Sequence, residues 1–200
     1  MHPITICDFS KRWSAKEFDC VIAVDGGFAY LSALACVPDV VIGDFDSLGY
    51  VPEGACVFEH PVHKDKSDLE LALDYTVERG FKRVVIYGAL GGRLDHSVAN
   101  LQMCARFAEL GMQVKFVDAD CAVSILVGPG RLDLPVTWGN VSVFSAVDAA
   151  HGVTEVGMEY PLENATLTNR TTLGLSNELR GLPASVHIEE GTLLVFHPNG

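Results

Sequence analysis

The feature that most constrains the fold is a change of rhythm along the chain. Up to about residue 120, short runs rich in β-branched residues alternate with helical patterns. The runs are "PITIC" (3–7), "CVIAV" (20–24), "VVIG" (40–43), "RVVIYG" (83–88) and "VKFV" (114–117), each suited to a strand buried on both faces. Between them, "SDLELALDYTVERG" opens with Ser67 and has Glu70 three residues on, the arrangement of a capping box. Leu69, Ala72, Leu73 and Thr76 then make one mostly apolar stripe, and Gly80 can end the helix. "DHSVANLQMCARFAELG" repeats the pattern, with Leu101, Cys104, Ala105 and Ala108 as the stripe, Asp95 as a candidate cap and Gly111 as the stop. Strand–helix alternation predicts a parallel sheet covered by helices.

Beyond residue 120 helical periodicity fades. "AVSILV", "RLDLPV", "NVSVFSAV", "GVTEV", "ATLTN", "SVHIEE" and "GTLLVFH" follow at the spacing of an all-β sandwich or barrel. The fold class expected is α/β: an N-terminal parallel-sheet α/β domain, residues 1–120, and then a C-terminal all-β sandwich-like domain, residues 121–200. No low-complexity linker separates them.

A net charge of −12 argues against a nucleic-acid surface, which needs a clustered basic face. It leaves room for a nucleotide whose charge a metal ion screens. Cys7, Cys20, Cys36, Cys56, Cys104 and Cys121 form no CxxC or Cys/His cluster and read as core thiols. No basic region followed by a long apolar stretch opens the chain, and no apolar run approaches the ~18 residues of a membrane span. A reducing cytoplasm is the location these features favour, with no membrane partner.

Ligands of open parallel sheets sit beyond the carboxyl ends of the strands. Asp25-Gly26-Gly27 follows "CVIAV", and Asp44-Phe45-Asp46-Ser47 follows "VVIG". Lys64-Asp65-Lys66-Ser67-Asp68 leads into the first long helix, and Gly91-Gly92-Arg93-Leu94-Asp95-His96 lies just after "RVVIYG". In an extended segment Asp44 and Asp46 would point the same way while Phe45 turns to the core. Singly, each acid reads equally well as a turn or helix cap. Together, Asp25, Asp44, Asp46, Asp68 and Asp95 at one sheet end would repel one another unless something positive intervenes. Mg²⁺, which takes one or two carboxylates plus water and substrate phosphate, fits that need. Gly26-Gly27 and Gly91-Gly92 let backbone N–H groups approach an anion, although neither pair belongs to a GxxxxGK[ST] or GxGxxG motif. His96 reads as a helix-start polar residue. His60, His63 and His197 show no ligand spacing.

Taken in order, these segments resemble the thiamine pyrophosphokinase family, which carries a DGG turn, a GD-x-DS motif, a D-x-[ST]-D-x-E segment opening a helix and a GG-R-x-DH loop. Here they stand as Asp25-Gly26-Gly27, "GDFDS" (43–47), "DKSDLE" (65–70) and "GGRLDH" (91–96). "YPLENATLTNRTTLGLSNEL" (160–179) is similar to the family's thiamine-side segment, and "GTLLVFHP" to its closing strand. One departure stands out: family members begin with a glycine-bearing loop, whereas "ITICDFSKRWSAKEF" has no glycine before Gly26.

The resemblance implies transfer of the pyrophosphoryl group of ATP to the hydroxyl of thiamine, giving thiamine diphosphate and AMP. It implies Mg²⁺ held by Asp44, Asp46 and Asp68, and phosphate oxygens met by Arg93. Asp95 would either orient Arg93 or polarise the attacking hydroxyl. Asp25, Gly26, Gly27, Gly91, Gly92 and His96 would line the nucleotide side, with Lys64 and Lys66 each a phosphate neighbour or a solvated lysine. Ser176 and Asn177 would lie near the pyrimidine, whose donors and acceptors hydroxyl and amide groups can match. A homodimer with each thiamine site completed across the subunit interface is implied as well. Two other readings remain at this level: a Mg²⁺-dependent phosphohydrolase with an aspartyl nucleophile in "DFD", and a non-catalytic thiamine or nucleotide sensor.

Overall fold

The computed structural model describes residues 19–45, 48–52, 56–59 and 65–199. The expected strand at 3–7 and the glycine-free segment lie outside the described residues. The chain divides into two compact units, residues 1–82 with 88–97 and residues 83–87 with 98–200.

In the first unit, β1 (Ile22–Val24), β2 (Val40–Gly43) and β3 (Cys56–Glu59) form a parallel sheet in the order β1-β2-β3. Alternation along β2 decides which helix each side chain meets. Val41 packs with Ala23, Phe45 and Leu31 of α1 (Gly27–Ala33). Val40 and Ile42 point the other way, onto Ala72 of α2 (Asp68–Glu78), with Leu71 and Tyr75 alongside. Both faces of β2 are therefore covered, which is why "VVIG" is apolar throughout; each such side chain is worth about 1.5–3 kcal/mol when buried. Ser67 caps α2 as its sequence predicts, its Oγ accepting from the Glu70 N–H at 3.2 Å. Gly80, at φ +79°, turns the chain out of the helix.

The second unit pairs two sheets. One runs β11-β8-β13-β6-β5-β4, made of Asn177–Arg180, Trp138–Ser145, Thr192–His197, Ala122–Val127, Gln113–Val117 and Arg83–Tyr87. The other runs β10-β9-β12-β7, made of Ala165–Thr168, Ala149–Val156, Ser185–Ile188 and Gly130–Asp133. Their inner faces share one core of Val141, Val143, Val153, Leu167, Leu179, Val186, Leu193 and Val195. Among the described residues the parallel strands thus fall in two sheets, because β4 and β5 pair with each other and β5 then pairs antiparallel with β6. Alternation sets the direction of a strand but not the sheet it joins. The antiparallel order begins at the tight turn Asp118–Cys121, closed by the Asp118 N–H on the Cys121 carbonyl.

Helix α3 (Leu94–Glu109) buries Cys104, Ala105, Phe107 and Ala108. It begins one residue before Asp95, so Asp95 stands in the first turn and not at the cap. Burial pushes the Cys104 thiol up to about 12, in keeping with a core thiol. Cys56, by contrast, is exposed.

Candidate active site

The carboxyl ends of β1 and β2 lie side by side, Val24 in register with Ile42. The next residue, Asp25, adopts φ +46° and is only 8% exposed, its N–H donating to the Ile42 carbonyl at 2.8 Å. The Asp25 carbonyl accepts from the Phe28 N–H at 3.1 Å and that of Gly26 from the Ala29 N–H at 3.2 Å, so α1 starts straight from the turn. A Cβ on Gly27 would meet nothing within 4 Å, whereas one on Gly43 would lie 3.0 Å from the Asp25 Cα. Gly43 is what lets the two strand ends touch.

Half-buried Asp44 follows Gly43. Phe45 is not extended. It takes φ +57°, and its carbonyl accepts from the N–H groups of Leu48 and Gly49 at 3.2 and 3.0 Å. A left-handed turn, and not strand alternation, carries Phe45 into the core beside Leu31 and Val41, where it is 3% exposed. Asp46 lies outside the described residues, as does Lys64.

Asp68 is the first residue of α2 and half-buried, on the side of the helix dipole that favours an acid. Lys66 is exposed and pairs with Asp74 across 2.6 Å. Among the described residues no three His, Cys, Asp or Glu side chains gather closely enough to hold a metal ion. A hard divalent cation needs only one or two carboxylates, and Asp44 at a strand end and Asp68 at a helix start are of that chemical type.

The loop after Tyr87 has a different construction. Gly91 and Gly92 adopt φ +84° and +63°, and a Cβ on either would meet nothing within 4 Å, so backbone conformation demands the glycines and room does not. Ser97, a residue that the motifs do not include, lies beneath them and is 9% exposed. Its Oγ accepts from the Gly91 N–H at 3.1 Å, and its hydroxyl lies 3.3 Å from the carbonyls of Gly91 and Arg93. The signal available was a small polar residue one helical turn after Arg93. Arg93 grips Asp95 with two prongs, Nε to Oδ1 at 3.1 Å and Nη2 to Oδ2. That hydrogen bonding holds the Asp95 carboxyl down to about 2. His96 is exposed beside them.

In the second unit Ser176 has φ +59° and an exposed side chain, its N–H donating to Ser142 Oγ at 3.0 Å. Asn177 does not belong to a turn; it opens β11 and is buried. Its Nδ2 donates to Glu155 Oε2 at 2.6 Å and to the Tyr160 carbonyl at 2.8 Å. Its Oδ1 accepts from the N–H groups of Tyr160 at 3.0 Å and Glu178 at 2.9 Å. The amide's donors and acceptors are all engaged inside the unit. Glu155 is a second residue that sequence reasoning passed over. It shares the inner face of β9 with Val153, so "GVTEV" sets an acid where the period of two asks for an apolar residue.

An α/β unit with acids at its strand ends, carried on one chain with a β-sandwich, defines a two-part enzyme of the phosphate-handling kind. A model of the thiamin pyrophosphokinase catalytic domain matches residues 9–116, and a model of the thiamin pyrophosphokinase vitamin B1 binding domain matches residues 132–193. The chain belongs to the thiamin pyrophosphokinase family. It is 28% identical to the thiamine pyrophosphokinase of Bacillus subtilis over 183 residues, 88% of this chain and 85% of that one. The crystal structure of thiamine pyrophosphokinase from Bacillus subtilis superposes with a TM-score of 0.83 at 26% identity, covering 97% and 93% of the two chains. That of Geobacillus thermodenitrificans gives 0.81 at 27% identity, covering 98% and 92%.

Proposed function

We propose that the protein transfers the β,γ-pyrophosphoryl group of ATP to the hydroxyl of thiamine, releasing AMP. What carries this reading is that both halves of the family stand in order on one chain, over an acid-rich sheet end. In the reaction the thiamine oxygen bonds to the β-phosphorus as the bond from that phosphorus to the bridging oxygen of AMP breaks. The hydroxyl proton passes to solvent or to a nearby acceptor. Such transfer asks for positioning and charge neutralisation more than for covalent work by the protein.

Asp44, Asp46 and Asp68 are proposed to hold Mg²⁺, which when bound would neutralise the triphosphate charge. Asp25 and the N–H groups of Gly26 and Gly27 approach the phosphates from the neighbouring strand end, with Lys64, Gly91, Gly92 and His96 on the same nucleotide side. Arg93 meets phosphate oxygens with its fork. Of the two roles open to Asp95, orienting Arg93 is the one supported: the two-pronged contact is in place, and a carboxyl held near 2 is a poor proton acceptor. On the thiamine side Ser176 offers its hydroxyl, while the engaged amide of Asn177 supports the chain beside it.

The nucleotide and catalytic work is assigned to residues 1–120 and thiamine binding to 121–200. A homodimer completing each thiamine site is part of this proposal, and Trp138, Tyr160, Leu173, Leu175 and Leu182 are the exposed large apolar side chains of the second unit that it could cover. A cytoplasmic setting is supported by the free thiols of the described cysteines. Among the described residues no helix is long and apolar enough to cross a membrane.

Anion-exchange analysis of nucleotides, with ATP and Mg²⁺ and with or without thiamine, tests the reading. AMP and thiamine diphosphate in equal amounts, only when thiamine is present, is the expected result. Inorganic phosphate without thiamine would instead identify a phosphohydrolase, and no product at all a sensor.

A further inference from the structure

Glu155 is a carboxyl group 1% exposed, on the inner face of β9 with Val153 and in register with Val186 of β12. Burial disfavours the charged form of an acid, so its placement there carries a cost. Burial does push its pKa up, against the opposing pull of Asn177. Its Oε2 accepts from Asn177 Nδ2 at 2.6 Å, and its Oε1 has no hydrogen-bond partner among the described residues. Among the described residues the Glu155 carboxyl therefore hydrogen-bonds to one side chain, that of Asn177.

That side chain is a junction. Through one amide, Asn177 joins β9 at Glu155, the segment before β10 at both backbone groups of Tyr160, and β11 at the Glu178 N–H. If the amide flipped, its NH₂ would face two N–H donors, and its oxygen would face a carboxylate and a carbonyl. Glu155 adds an acceptor on the NH₂ side and so fixes the orientation from within the core. Ser176, immediately before Asn177, holds a left-handed φ of +59° with its N–H on Ser142 Oγ. A non-glycine residue keeps that conformation only when its neighbours over-determine it. Asn177 supplies the constraint on one side and Ser142 on the other.

We infer that Glu155 is a positioning residue for thiamine: it orients the Asn177 amide, which pins Tyr160 and the start of β11 and so sets where Ser176 meets the substrate. The inference rests on the reading of Ser176 as a thiamine contact.

Two conservative variants separate reach from the carboxyl. Glu155→Asp keeps the carboxyl and loses one methylene of reach; Glu155→Gln keeps an acceptor oxygen at the same reach and removes the carboxyl. The amide hydrogen exchange of Tyr160 and Glu178, which donate to Asn177 Oδ1, reads the anchor directly and does not depend on activity. The Asp variant is expected to speed exchange at both amides about tenfold. It should raise the thiamine KM at least about fivefold, with kcat and the ATP KM within about twofold of wild type. The Gln variant should bring exchange and the thiamine KM back to within about threefold of wild type. Glu155→Met, of similar volume and without an acceptor, takes the place of the Asp variant should that protein fail to fold. Unchanged exchange in the Asp and Met variants, or a Gln variant as impaired as Asp, would overturn the inference. Faster exchange with an unchanged thiamine KM would overturn the positioning role too, and would trace the failure to Ser176 as a thiamine contact. Wild-type protein giving no thiamine-dependent AMP would instead sink the proposed reaction, with exchange still deciding whether Glu155 anchors Asn177.

Discussion

Gly43 presses against Asp25: a Cβ at position 43 would lie 3.0 Å from the Asp25 Cα, 3.2 Å from its N and 3.3 Å from its Cβ. None of these atoms can swing away. The Asp25 N–H is tied to the Ile42 carbonyl, and its carbonyl already serves the first turn of α1. Gly43→Ala should therefore push the ends of β1 and β2 apart by a few tenths of an ångström. Overpacking of this kind costs about 1–3 kcal/mol, to be read from urea unfolding. Turnover should fall further than stability, because Asp25 and Asp44 sit on the two parts displaced. An Ala variant with wild-type stability and kcat would show that the contact is loose.

The Arg93–Asp95 pair makes a prediction with a definite sign. Hydrogen bonding to Arg93 lowers the Asp95 pKa from 3.8 to about 2. A carboxyl depressed in the folded state contributes stability that is present above its unfolded pKa and lost as pH falls through its folded one. The window is therefore about pH 4 down to 2. Both side chains are well exposed, so the stability effect is small. Titration of the Asp95 carboxyl followed by ¹³C NMR should find it still ionised at pH 3.5 in the wild type. In Arg93→Ala it should titrate close to its ordinary value, while kcat/KM collapses with the loss of the phosphate fork. Asp95 titrating identically in both proteins would dissolve the pair.

Much of this was legible before any coordinates. The two helices follow from their stripes, the Ser67 cap from its box, and β2 from "VVIG", because periodicity and caps are local properties. What escaped is of another kind. Among the described residues β3 is a four-residue edge strand with exposed ends, too short to carry a period. The Phe45 turn is hidden because a left-handed aromatic has no sequence signature and looks like strand alternation. β11, "NELR", carries one apolar residue and so shows no strand pattern of its own. Its buried Asn177 finds its partners in Glu155 and Tyr160, 22 and 17 residues away. Ser97 and Glu155 support other groups, and a support is visible only once the thing supported has a place.

Asp44→Asn keeps the size of the side chain and an oxygen but removes the charge that a hard cation needs. The variant should fold, with thermal melting within a few degrees of wild type. Its Mg²⁺-dependent rate of AMP formation should fall by more than about a hundredfold, beyond the roughly 10–100-fold cost of losing an outer-shell partner of a metal. Titrating Mg²⁺ into the assay separates two cases. A rate restored at high metal would make Asp44 one contributor among several, and a rate that stays low makes it a direct ligand. Wild-type turnover at ordinary Mg²⁺ would remove Asp44 from the metal site.

Ser97 tests whether the shape of the 91–93 loop matters to the phosphates. Ser97→Ala removes the acceptor of the Gly91 N–H and leaves the helix intact, since alanine is a good helix former. The loop is exposed, so water replaces part of what is lost and stability should fall by about 0.5–1.5 kcal/mol. Gly91 and Gly92, freed from the hydroxyl beneath them, no longer hold one conformation, and Arg93 moves with them. The ATP KM should rise roughly three- to tenfold with the thiamine KM unchanged, and Ser97→Thr, which keeps a hydroxyl, should restore it; that selectivity follows from uniform binding lost on one substrate only. Exchange of the Gly91 amide gives the local readout. Faster exchange with an unchanged ATP KM would mean that the loop is ordered by Ser97 but does not touch the nucleotide, and the glycine pair would have to be removed from the phosphate site.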